Sequence, residues 1–299
     1  MAVFYPATTK KLFGVNCELF TILQTKQTTM VTKPEPYILG TDAQELHRLG
    51  IQHQIWASEA QKGWDLAGFK AGQTILDLGC GPGFCSKELA YMVGENGKVL
   101  GVDLDEGYIQ HLTQVADLYH VNMDGICSDF NDLQLPNNSL DGMYCRWALA
   151  WIPNPKEILQ KVYTALKPGG KMVLHEYYDW STHQTQPQLP GLNKAIAACL
   201  KSFKDQKGEI DIGRELPTML TELNMNVTSI RLMPKLGTPE NLVWQWPKTF
   251  YRSYFPRLVK MGLLTEDETK QAFKDHKTLE KDKNTTLFCP MMVEVIAEK

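Results

Sequence analysis

The sequence predicts a doubly wound α/β fold: a mostly parallel sheet of seven strands, a helical N-terminal lid and helical insertions. Three observations predict it. Between about residues 74 and 176, short apolar runs alternate with helical segments in the rhythm of βαβ units. The first run leads straight into a glycine turn that opens a helix, Ile75-Leu76-Asp77-Leu78-Gly79-Cys80-Gly81-Pro82-Gly83. The second run, Val99-Leu100-Gly101-Val102-Asp103, ends in an acid twenty residues beyond Gly83.

The elements follow in order. The stretch 1–36 is rich in Thr and Lys with weak periodicity and is expected to be a weakly ordered extension. Met30 makes 1–29 the part expected to be dispensable. Residues 37–299 form the main domain. Within it, 37–72 are expected to be a helical lid, from the spacing of Leu46, Leu49, Ile55 and Trp56, with Thr41 or Asp42 as N-cap and Glu45 placed for a capping box. The core, 73–178, holds strands at 74–78, 98–102, 125–128, 140–145 and 171–176, and helices at 86–93, 106–116 and 155–166. The last of these helices ends at Lys167-Pro168-Gly169-Gly170, where Pro and Gly prevent continuation. A helix at 215–223 and strands at 226–232 and 287–297 complete the sheet. Segments 180–212 and 238–284 show no sheet role and are expected to cover the substrate edge.

Composition narrows the function classes. A chain of 299 residues with 43% hydrophobic and 22% charged residues has the makings of a sizeable core. A formal charge of -3 supplies no global field for nucleic acid, so no nucleic-acid partner is expected. No apolar run approaches the length of a membrane helix, and no signal or transit peptide is evident, which makes a cytoplasmic protein without a membrane partner the expectation. Seven cysteines without a CxxC pair read as reduced thiols, and no acidic or His cluster has ligand spacing, so no metal is expected.

The glycine loop carries the chemistry. Gly79 and Gly81 allow close approach of backbone to a ligand, and the helix beyond them presents free N–H groups. Asp103, at the end of its strand, is placed to accept hydrogen bonds from both hydroxyls of a ribose, so an adenosine-like ligand is implied. A dinucleotide fingerprint would need glycine where Phe84 stands, and the acidic Asp77 does not suit a pyrophosphate. The P-loop pattern also fails, because no Lys or Arg lies between Ile75 and Ser86. S-adenosylmethionine has no phosphate and carries an ammonium and a sulfonium, charges that fit an acidic loop.

In these residues the chain resembles the class I S-adenosylmethionine-dependent methyltransferases, in the branch that includes ubiquinone/menaquinone-biosynthesis-like enzymes. Asp77 to Gly83 resemble the cofactor loop, and Asp103, with Leu104 after it, the ribose-binding acid. Cys127-Ser128-Asp129-Phe130 resembles the adenine-binding segment, and Ser139 to Trp147 the fourth strand and its exit. Leu166 to Gly170 resembles the approach to strand five, and Tyr37-Ile38-Leu39-Gly40 with Glu45, Arg48, Leu49 and Gln52 a lead-in that folds over the cofactor. The resemblance implies a Rossmann-like sheet with an antiparallel last strand. It assigns S-adenosylmethionine to Asp77, Gly79, Cys80, Gly81, Asp103, Leu104, Asp129, Phe130 and Arg146, with Tyr37 and Gln52 as further contacts.

Methyl transfer depends on positioning, with a base needed only when the acceptor must lose a proton. His175, Glu176 and Tyr177, at the exit of strand five, are the candidates for that base. His175 suits an ordinary strand-end residue satisfied by backbone better than it suits a base. Trp147, Trp151, Trp180, Trp244, Trp246, Phe250, Tyr251, Tyr254 and Phe255 either line an apolar acceptor pocket or pack the core. The acidic and basic alternation between Lys270 and Lys283 reads as a solvated helix face. The expected function is methyl transfer to a small-molecule acceptor at O, N or C. Methylation of RNA or protein, or cofactor binding without turnover, remain the alternatives.

Overall fold

The computed structural model describes residues 43–205 and 208–299. The expected N-terminal extension, Tyr37 and the expected caps at Thr41 and Asp42 lie outside the described residues. The chain runs α1 (Ala43–Ala67), β1 (Thr74–Leu78), α2 (Phe84–Val93), β2 (Lys98–Asp103), α3 (Glu106–Tyr119), β3 (Met123–Cys127), β4 (Leu140–Arg146), α4 (Pro155–Ala165) and β5 (Leu166–Asp179). It continues through β6 (Gln184–Gln186), α5 (Pro190–Lys204), α6 (Leu216–Glu222), β7 (Asn226–Met233), β8 (Leu236–Gly237), α7 (Gln245–Lys260), α8 (Glu266–Leu279), β9 (Thr286–Phe288) and β10 (Met291–Glu298).

Seven strands form the main sheet in the order β3-β2-β1-β4-β5-β10-β7. The first five are parallel, and β10 runs antiparallel to both β5 and β7. The order reverses between β1 and β4, so their carboxyl ends open a crevice. The parallel strands are apolar on both faces because helices cover both. Leu76, Leu78, Met143 and Leu174 belong to one core, while Ile75, Tyr144 and Val173 belong to the other.

Helix α1 lies across the second face. Its buried positions Glu45, Arg48, Gln52, Ile55, Trp56, Ala60, Trp64 and Ala67 recur every three or four residues, the stripe of an amphipathic helix, although the first three are polar. Gly63 lets the helix approach closely, since a Cβ there would collide with Glu294 on β10. Glu59 binds Arg231 of β7 at 2.6 Å and Lys235 at 3.1 Å, a half-buried anchor between helix and sheet edge.

Two differences from the sequence reading have backbone causes. The expected last strand is two strands, because Pro290 has no N–H for a ladder, and the Cys289 N–H turns away to the Lys235 carbonyl at 3.0 Å. The severed piece, β9, pairs with β6 and β8 in a small antiparallel sheet, so part of the segment 180–212, expected to lack strands, is paired. The Pro168-Gly169-Gly170 turn also does not separate helix from strand. Leu166 already pairs with Leu140, and the next pair is Lys171 with Gly142, so the turn is a bulge inside β5.

Candidate functional site

Cofactor-loop geometry follows from two glycines in the left-handed region. Gly79, at φ 75°, lies so close under Ala148 that a Cβ on it would overlap the Ala148 methyl. Gly81, at φ 52°, has open space where its Cβ would stand. The loop is therefore pinned on one side by the segment leaving β4 and free on the other. Asp103 braces it: Oδ2 accepts the Gly81 N–H at 2.8 Å and Oδ1 the Asp105 N–H at 3.0 Å. Burial raises the Asp103 pKa, an effect these two amides oppose.

Asp77 is buried, and its Oδ2 accepts the Ser86 hydroxyl at 2.6 Å. Burial pushes its carboxyl up to about 6, against the pull of Ser86 and of the Arg146 charge. Cys80 Sγ points away from the loop's open side, toward Gly101 on β2, leaving only its backbone to face a ligand. Leu104 is exposed beyond Asp103. Asp129 is exposed and its Oδ1 holds the Asn131 amide at 2.8 Å, while the Phe130 ring reaches within 3.7 Å of the Gly79 Cβ position. The structure thus gathers Asp77, Gly79, Gly81, Asp103 and Phe130 at one crevice.

At the exit of β4, Arg146 lies between this loop and α1. Its Nη2 donates to His53 Nδ1 at 3.5 Å, and its buried Nη1 has no hydrogen-bond partner among the described residues. Since a guanidinium only donates, His53 Nδ1 must accept, and Nε2–H then donates to Glu88 at 2.9 Å. His53, which the sequence reading did not single out, therefore ties α1 to both α2 and Arg146.

Trp147 follows at φ 58°, a conformation rare for a bulky side chain. Its ring is over-determined by neighbours: it stacks on Tyr177 and Trp246 at 5.9 and 5.6 Å, and its Nε1–H reaches Met292 Sδ at 2.9 Å. Trp147 is one wall of a cavity lined mainly by aromatic side chains. Trp151, Trp180, Phe203, Trp246 and Phe250 supply further aromatic walls, and Arg48, Gln52, Tyr177 and His183 polar groups. Trp244, Tyr251, Tyr254 and Phe255 are instead buried in the core.

The three base candidates part company here. His175 is fully buried beneath α1, with Nε2–H donating to Glu294 at 2.9 Å and Nδ1 accepting from the Tyr144 hydroxyl at 3.3 Å. Burial lowers its pKa despite Glu294. Glu176 is fully buried on the other face, where Oε1 accepts the Leu149 N–H at 2.9 Å and burial pushes the carboxyl up to about 8. Neither lines the cavity; of the three base candidates, Tyr177 alone does. Sequence alternation explains this outcome, since adjacent residues on a central strand enter opposite cores. Gln52, read as a cofactor contact, lines the cavity.

A sheet whose strand order reverses at a glycine loop, with an acid at the end of the neighbouring strand, defines the class: a doubly wound domain with a ligand crevice at its switch point. A family model described as a methyltransferase domain matches residues 75–170. Demethylmenaquinone methyltransferase of Oceanobacillus iheyensis is 30% identical over 145 residues, covering 48% of this chain and 57% of that protein's length. Geranyl diphosphate C-methyltransferase of Streptomyces coelicolor A3(2), crystallised with Mg2+, geranyl diphosphate and S-adenosyl-L-homocysteine, superposes at TM-score 0.52 with 14% identity, covering 85% of this chain and 82% of that one. The [4+2]-cyclase SpnF superposes equally well, at TM-score 0.53 and 14% identity over 81% of this chain and 80% of that one, so the structural likeness establishes the fold alone. Over its cofactor-binding half the chain is similar to S-adenosylmethionine-dependent methyltransferases, and it spans little more than half the length of the first of these relatives.

Among the described residues, no helix is long and apolar enough to cross a membrane, and no group of three or more His, Cys, Asp or Glu is arranged to hold a metal ion.

Proposed function

We propose that this chain transfers a methyl group from S-adenosylmethionine to a small, flat, largely apolar acceptor held in the aromatic cavity. One observation carries the reading: Ala148 packs on the cofactor loop at Gly79, and its neighbour Trp147 lines the cavity, so the two sites share a wall.

The chain's donors and acceptors fit the cofactor. Each Asp103 oxygen is used by one amide, which leaves each a lone pair for a ribose hydroxyl. The unpartnered Nη1 of Arg146 suits the cofactor's carboxylate, and Asp77 suits its ammonium, a cation that would hold Asp77 ionised despite its burial. Leu104 and Phe130 offer apolar surface for the adenine, with Asp129 at its amino edge. Bound S-adenosylmethionine supplies an electrophilic methyl carbon on sulfur.

What remains for the protein is positioning. The aromatic walls exclude water and hold the acceptor in line, at the roughly 3–3.5 Å that makes the reaction effectively intramolecular. His183 is not the base. Its Nδ1–H donates to the Phe288 carbonyl at 2.9 Å, its Nε2 accepts the Tyr251 hydroxyl at 2.6 Å, and burial lowers its pKa to about 4. Tyr177 is the hydroxyl at the cavity wall, and an acceptor already deprotonated in solution needs no base.

Isotopically labelled S-adenosylmethionine offered with metabolite extracts, bulk RNA and denatured protein tests the reading. Label in the small-molecule fraction is expected. Label only in RNA or protein overturns the acceptor class, and calorimetry without S-adenosylhomocysteine binding overturns the cofactor site.

A further inference from the structure

We infer that Gln52 is the hydrogen-bond donor that orients the acceptor, so the acceptor presents a carbonyl or hydroxyl oxygen on an aromatic or otherwise flat apolar skeleton. The inference rests on the cavity being the acceptor site.

The orientation of the Gln52 amide is chemically forced. Its Oε1 receives Arg48 Nη1–H at 2.7 Å and Trp246 Nε1–H at 2.7 Å. A guanidinium and an indole N–H can donate but cannot accept, so the atom between them is oxygen, and the flipped amide would set donor against donor. Nitrogen Nε2 therefore occupies the other position, and it has no hydrogen-bond partner among the described residues. Gln52 is 8% exposed and borders the cavity.

The donor is also preorganised. Glu45 grips Arg48 with both oxygens, at 2.7 Å to Nε and 2.5 Å to Nη2, in a buried fork. Trp246 is fixed by its stack on Trp147 and its edge contact with Trp56. The chain Glu45–Arg48–Gln52–Trp246 thus holds one amide N–H against aromatic walls. An N–H desolvated by a ligand that cannot accept from it is left unmade, which penalises hydrocarbon ligands and favours ligands with an oxygen at that point. The neighbouring His53 faces Arg146 and α2, so consecutive residues of α1 serve the acceptor side and the cofactor side separately.

The experiment uses two probes of nearly one shape, 2-acetonaphthone and 2-ethylnaphthalene, titrated by quenching of the cavity tryptophans with and without S-adenosylhomocysteine. Gln52→Glu keeps an oxygen between Arg48 and Trp246 but replaces the donor with an acceptor, and Gln52→Leu removes both. In Gln52→Glu the ketone is expected to bind about tenfold more weakly while the hydrocarbon stays within about twofold of its wild-type affinity. Gln52→Leu should show the same split, with S-adenosylhomocysteine binding retained in both variants. Unchanged ketone affinity, an equal loss for both probes, or absence of probe binding to the wild type overturns the inference, as does loss of S-adenosylhomocysteine binding in the variants, which would return Gln52 to the cofactor. Wild type that fails to bind S-adenosylhomocysteine overturns the cofactor reading instead, and the probe split is then read on its own.

Discussion

The cofactor loop and the aromatic cavity touch at Ala148 and Trp147, yet they are built on opposite plans. Backbone makes the first: Gly79 and Gly81 turn it, and Asp103 clamps the Gly81 amide. Side chains make the second, from α1 at Arg48 and Gln52, the β4 exit at Trp147, α5 at Phe203 and α7 at Trp246. A backbone site dictates residue type at fixed spacing, because only glycine takes those dihedrals without cost and only a short acid reaches the loop from a strand end. A cavity wall asks only for bulk and apolarity, which many positions can supply. The difference teaches that the loop should be sensitive to the smallest substitutions and the cavity tolerant of them.

Gly79→Ala should break the comparison hardest. The added methyl meets Ala148 at a left-handed φ, so a loss of about 2–4 kcal/mol in urea denaturation is expected. A fully stable variant would mean that the loop yields as readily as the cavity. Asp103→Ala should come next, weakening S-adenosylhomocysteine binding by about 1–3 kcal/mol in calorimetry, since Gly81 and Asp105 lose their acceptor as well as the ligand. An unchanged Kd in a folded protein would remove Asp103 from the site.

Glu176 sharpens the comparison through pH. Its folded pKa, about 8, lies above the carboxylate's usual value, so the native state keeps a proton that the unfolded chain gives up from about pH 4.5 upward. This group's contribution to stability is therefore full below that point and declines by about 1.4 kcal/mol per pH unit until about pH 8. An amide in its place cannot ionise, so thermal unfolding of Glu176→Gln should lack that decline; identical pH profiles would place the carboxyl in a more polar setting. Phe250→Ala should have the smallest reach. Aromatic probe binding should weaken several-fold while S-adenosylhomocysteine affinity stays within about twofold; parallel losses would mean that the two sites are one.

The same contrast explains what was legible. Strands β1, β2 and β4 and their exits can be read from apolar runs that end in glycine or acid, and their bounds agree with the sequence to within a residue or so. The insertions were legible as helical, but the small sheet of β6, β8 and β9 was not, because β8 and β9 are two and three residues long and acquire their partners only through distant folding. Trp246 and Phe250 face the cavity while Trp244 and Tyr251, on either side of them in sequence, enter the core. Composition cannot separate such neighbours; helix orientation does. The sequence does carry a signal for Gln52: Arg48, Gln52 and Trp56 recur at four-residue intervals, which puts two polar residues on the buried stripe of α1.

By itself, the sequence determined the doubly wound sheet, the glycine loop and the acid that braces it, because these depend on local backbone geometry and on strand-end spacing. Tertiary structure alone decided that His175 and Glu176 enter opposite cores away from the cavity, that Gln52 borders it, and which aromatics form its walls. Those outcomes depend on which faces of α1, β5 and α7 meet, and contacts between residues as far apart as Gln52 and Trp246 leave no trace in local order.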